Sequence, residues 1–96
     1  MLTSKQRAYL RSLANQMPAI MQVGKSGLNE NMLKTFSDAL EARELIKLTV
    51  LENSGEDPKA LLNALAEALS AEPVAVTGKK IILYRPSEKK PVIVLP

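Results

Sequence analysis

Gly24, Lys25, Ser26 and Gly27 are the residues of this 96-residue chain best suited to hold a charged group. Two glycines three apart let the backbone take positive φ and keep Cβ atoms away, so successive amide N–H groups can turn toward an oxyanion. Lys25 adds a full charge at the crest, and the amides of Ser26, Gly27 and Leu28 complete a seat for phosphate. Glycine-lysine-serine also ends the phosphate-binding loop of ATPases. That pattern needs a glycine five residues before Gly24, where Ala19 stands, and no apolar run ends in an aspartate placed to hold magnesium. The loop is too short to wrap a triphosphate, so nucleotide hydrolysis is set aside. A plain turn is the competing explanation, because G-x-x-G alone is a weak signal.

Few other side chains could do chemistry. The chain has neither histidine nor cysteine, which removes the commonest general base, thiolate metal sites and a disulfide framework together. An enzyme would have to rely on carboxylates such as Glu41 and Glu44. These fall in a helix and at its exit, where a solvated face is the better explanation. The expectation is a non-catalytic protein with no metal, cofactor or small-molecule substrate.

Charge is distributed unevenly about a net +3. Residues 1–28 carry Lys5, Arg7, Arg11 and Lys25 with no acid, and residues 77–90 carry Lys79, Lys80, Arg85, Lys89 and Lys90 against Glu88. Those two segments total +8, whereas residues 29–76 hold four bases against nine acids. Such polarity suits one side that faces a polyanion and a solvated back.

The elements that must position these groups follow from periodicity. Thr3 and Gln6 form a capping-box pattern, and Leu10, Leu13, Ala14 and Met17 recur at helical spacing, which predicts a helix over about 4–15. Arg7 and Arg11, four apart, share one exposed stripe of it. Residues 19–23 read as a strand, 29–43 as an amphipathic helix and 45–52 as a strand with Ile46, Leu48 and Val50 inward and Lys47 and Thr49 on a wet face. Asp57-Pro58 caps a third helix ending near residue 71. Gly78-Lys79 joins two final strands, of which 80–85 is apolar on both faces and therefore interior. The first two strands, joined through a helix, are parallel neighbours, and the last two form a hairpin. With the fourth strand beside the second, the order is 1-2-4-3, and the second and third helices share a face. The chain is thus one small α/β domain, α-β-α-β-α-β-β with a four-stranded mixed sheet. Residues 1–86 form the domain, and 87–96 are a tail or an added edge strand. The N-terminus lacks the apolar core of a secretory signal, and no apolar run approaches the ~20 residues that span a bilayer. A soluble, cytoplasmic protein without membrane contact is expected.

The opening LTSKQRAYLRSLA, the stretch IMQVGKSGLNENMLKTFSDALEARELIKLTVLE and the closing VTGKKIILYR resemble the CRM domain, the chloroplast RNA splicing and ribosome maturation family, in particular its stand-alone bacterial YhbY-like members. The likeness runs over residues 2–85. It rests on Leu10-Arg11, the G-K-x-G loop of 24–27, the E-L-I-K of 44–47 and the L-Y-R of 83–85. It implies a fold similar to the C-terminal domain of a bacterial translation initiation factor, RNA binding, and association with precursor large ribosomal subunits.

A monomeric RNA-binding protein is expected from residues and resemblance together, and the resemblance implies that it acts on ribosomal RNA of precursor large (50S) subunits during assembly. Gly24, Lys25, Ser26, Gly27 and Leu28 form the seat, and Arg7, Arg11, Lys79 and Lys80 extend the footprint. With one phenylalanine, two tyrosines and no tryptophan, there is little aromatic surface for stacking bases, so recognition is expected to follow RNA shape and backbone. Tyr84 is assigned to the core. The alternative is a basic protein-interaction module docking an acidic partner.

Overall fold

The computed structural model describes residues 2–24, 28–52, 55 and 57–96. Its elements are α1 (Ser4–Asn15), β1 (Met21–Val23), α2 (Glu30–Arg43), β2 (Leu45–Val50), α3 (Pro58–Leu69), β3 (Glu72–Thr77) and β4 (Lys80–Tyr84). Each helix starts where a side chain can satisfy its first free amides. Thr3 Oγ1 accepts from the Gln6 N–H at 3.1 Å while Gln6 Oε1 accepts from the Thr3 N–H at 3.0 Å, a reciprocal capping box. Asn29 Oδ1 accepts from the Met32 N–H, and Asp57 Oδ2 from the Ala60 N–H with Pro58 beside it.

The strands form one sheet in the order β1-β2-β4-β3, with β1 and β2 parallel and the other pairs antiparallel. This is the order patterning predicts. Strand β4 is interior because Ile81 and Leu83 pack on one face while Ile82 and Tyr84 pack on the other. The first face carries α2 and α3 over Phe36, Leu40, Ile46, Leu48, Leu65, Ile81 and Leu83. The second face buries Leu10, Ala14, Leu45, Val74, Ile82 and Tyr84 beneath α1. Periodicity leaves the side taken by α1 open, since a helix before the first strand has no crossover to fix its hand.

Covering by α1 changes the wet face of β2. Lys47 does not simply point into water: its Nζ donates to the carbonyls of Ala14 at 3.0 Å and Met17 at 3.2 Å. It thereby satisfies the free carbonyl end of α1 and complements that end of the helix dipole.

Residues 87–96 form no strand. They run along the second face, with Ile93 and Leu95 packed against its core and Val92 and Val94 exposed. Glu44, only 2 % exposed, anchors them: its carboxylate accepts from the N–H groups of Ser87, Val92 and Ile93, each at 2.8 Å. Glu41 accepts from the Ser87 hydroxyl and from the N–H groups of Glu88 and Lys89. The solvated-face reading of these two carboxylates is therefore corrected. They are acceptors for backbone amides more than forty residues away, which no local pattern reports.

Candidate nucleic-acid interface

The C-terminal ends of the parallel strands and the β3–β4 hairpin lie at one end of the sheet. Val23 pairs with Val50, Thr49 with Lys80, and the Val50 N–H donates to the Lys79 carbonyl at 2.7 Å. Gly24, which leaves β1 at that end, is thus brought beside the hairpin that carries Lys79 and Lys80. Gly78 has φ +61° and needs glycine's freedom to make this tight connection.

Gly24 itself is not in the left-handed region, and a Cβ there would stand 3.5 Å from Leu51 Cδ1, an ordinary contact. The positive φ expected of the loop's glycines does not apply to Gly24. Lys25, Ser26 and Gly27 lie outside the described residues. Leu28, half-buried, packs against the first core just before α2 begins.

The basic residues differ in their surroundings. Lys80 is exposed, whereas Lys79 forms an ion pair with Glu52, which holds the Glu52 carboxyl below its usual value. Arg11 is exposed, but Arg7 is half-buried and its Nε reaches the Pro73 carbonyl at 3.4 Å. Helix α1 therefore lies across the sheet, with Arg7 over β3. Pro73 pairs with Leu83, three residues along β4 from Lys80, so the Pro73 backbone that Arg7 meets is about 10 Å from the hairpin end and about 14 Å across the sheet from β1. The loop's flank and the hairpin share an edge; Arg7 and Arg11 occupy a neighbouring face. Arg85 is committed to structure, donating to the Ser37 hydroxyl, the Ser37 carbonyl and the Leu69 carbonyl and so tying α2 to the end of α3.

Tyr84 is 5 % exposed in the second core, and burial raises the pKa of its hydroxyl, with the Glu44 charge adding to the rise. Among the described residues there is no cluster of three or more carboxylates able to hold a metal, and no helix long and apolar enough to cross a membrane.

Sequence reasoning passes over one feature. A cleft of about 660 Å³ opens between β1 and α2, the two elements flanking residues 24–27. Met32 and Phe36 give it an apolar floor, with Gln22, Asn29, Asn31 and Thr35 around it, and among the described residues no charged one lines it. Uncharged amides and hydroxyls on two separate elements leave no linear signature.

Four similarities bear on this arrangement. The CRS1/YhbY (CRM) domain pattern matches residues 2–85. The chain is 46 % identical, over the full length of both, to YqeI of Bacillus subtilis (strain 168), named a probable RNA-binding protein. It is 34 % identical to a Haemophilus influenzae protein named RNA-binding protein, covering 92 % of this chain and 89 % of that one. The solution structure of SAV1595 from Staphylococcus aureus, described as a candidate RNA-binding protein, superposes with a TM-score of 0.83 at 51 % identity over all of both chains. These proteins are named for RNA binding and not for catalysis, in keeping with the non-catalytic expectation. By domain pattern, relatives and fold alike, the chain belongs to the CRS1/YhbY (CRM) domain family.

Proposed function

We propose that this chain is an RNA-binding protein that contacts ribosomal RNA in precursor large ribosomal subunits, in the cytoplasm and as a monomer. The observation that carries the reading is the convergence of Gly24 and the Lys79–Lys80 hairpin at one end of the sheet. Lys25 and the amides of Ser26 to Leu28 meet phosphate there, and Lys80 and Lys79 extend the charged edge. Arg11, with Arg7 behind it, offers a second phosphate contact on the adjacent face, so the RNA backbone bends around the molecule from one to the other. Family membership supports RNA as the polyanion.

Crosslinking in cells followed by identification of the bound RNA tests the ribosomal assignment. Enrichment of precursor large-subunit RNA is expected, and recovery of unrelated RNA alone would overturn it. Lys25→Ala tests the seat: RNA binding should weaken by about fivefold at low salt, roughly one phosphate contact, while stability changes by less than about 0.5 kcal/mol. A large loss of thermal stability would instead make Lys25 structural. Titration with an acidic polypeptide at matched salt addresses the protein-docking alternative, which would require the polypeptide to bind more tightly than structured RNA.

A further inference from the structure

We propose that the cleft between β1 and α2 receives an unpaired nucleobase, so that the protein engages a single-stranded segment of its RNA; this rests on the RNA-binding reading above. Placement comes first. The cleft's walls are the strand that leads into residues 24–27 and the helix that leads out of them. Gln22 and Asn29, close in sequence to Gly24 and Leu28, line the cleft, so a nucleotide whose phosphate is held beside Gly24 and Leu28 has its base within reach of it.

The lining matches a neutral heterocycle and not a second phosphate. Among the described residues no charged one lines it, so a phosphate set among them would lose hydration without a counter-charge. Met32 and Phe36 offer a base's flat face an apolar floor, and hydrogen-bonding groups stand around it. The Asn31 side-chain amide is exposed and has no partner among the described residues. Thr35 Oγ1 spends its proton on the Asn31 carbonyl at 2.9 Å and keeps lone pairs for a base amino group. Strand β1 is an edge strand, and because Val23 O accepts from the Leu51 N–H on the β2 side, alternation turns the main-chain N–H and C=O of Gln22 toward the open edge.

These observations select among partners. In a duplex the base edges are already paired and stacked, so only an unpaired base can present both face and edge to such a cleft. An extended peptide adding to the sheet would need a longer row of free backbone groups than the three residues of β1 provide. The volume lies within the range of small-ligand sites. A base-reading component is thereby added to a charged footprint that is by itself indifferent to sequence.

The test is a titration at fixed salt with three fluorescently labelled RNAs of equal phosphate count: a single-stranded oligoribonucleotide, the same chain without bases, and a duplex. The native protein should bind the base-bearing strand about tenfold or more tightly than the abasic one. Thr35→Trp, which fills the cleft from an exposed position, should reduce that ratio below about threefold and leave abasic affinity unchanged. Asn31→Ala, which removes an exposed amide and little else, should lower the ratio in part and serves if Thr35→Trp does not fold. Equal binding of all three RNAs by the native protein, or an undiminished ratio in both variants, would overturn the cleft proposal and leave the RNA-binding reading standing. Failure to bind any of the three would overturn that reading as well.

Discussion

The ammonium of Lys79 lies against the Glu52 carboxylate, so the hairpin presents less free charge than its two adjacent lysines suggest. Glu52 is 83 % exposed, and replacing it should disturb little besides this pairing. Glu52→Gln is therefore expected to tighten RNA binding by about two- to fivefold at low salt, the effect fading as salt screens it. Affinity unchanged in a salt-matched titration would place the hairpin outside the RNA footprint. A second residue-scale expectation concerns Ser70, which ends α3 in the left-handed conformation at φ 53°, ψ 41°. A Cβ is strained there, and glycine is the usual solution at a helix end. Ser70→Gly should stabilise the fold by about 0.5–1 kcal/mol, read from denaturant unfolding with an unchanged m-value.

At the scale of elements, the end of α2 ties the C-terminal segment to the fold. Glu44 takes φ 67°, a conformation that non-glycine residues avoid, and it does so where its carboxylate collects three tail amides. Glu44→Ala leaves those amides without their acceptor and should cost about 2–4 kcal/mol, measured by chemical denaturation. Burial alone would raise the Glu44 pKa, but the N–H groups of Ile93, Ser87 and Val92 outweigh it and hold the carboxyl below its ordinary 4.5. Glu41 is likewise lowered, chiefly by the Ser87 hydroxyl, then by the Glu88 N–H. Because both folded values are depressed, their stabilisation is complete above about pH 4.5 and is lost as pH falls through the folded values. The tail amides of Ser87, Val92 and Ile93 should hold constant NMR shifts from pH 5 to 8 and move only on further acidification. Movement near neutrality would contradict the anchoring. The contrast with the helix starts is physical: Thr3–Gln6 and Asp57–Ala60 are partners three residues apart, legible in any short window. Glu44 meets its partners across 43 to 49 residues, and its type alone suggests solvent.

For the whole molecule, the split between two basic segments and an acidic middle sets the expected response to ions. Four or five phosphate contacts predict a log–log slope of affinity against salt of about −3 to −4, and a slope near zero would remove the polyanion as partner. Sheet order was legible because β4 is apolar on both faces and β1 must run parallel to β2. The geometry of the charged surface was less so: Arg7 and Arg11 read as extending the same footprint as the loop and the hairpin, whereas a helix laid across the second face sets them on a neighbouring face. The position of β4 has another consequence, for how the chain is made. The strand that lies between β2 and β3 is the last to be synthesised, and β2 and β3 do not touch each other without it. Until residue 84 has emerged, a nascent chain can form the β1–β2 pair but exposes the other edge of β2, whose Leu45, Ile46, Leu48 and Val50 are all apolar. Such an edge templates pairing with other chains. A chain that stops before β4 should therefore be an aggregating fragment rather than a smaller folded domain, and the native sheet closes only as its final strand inserts.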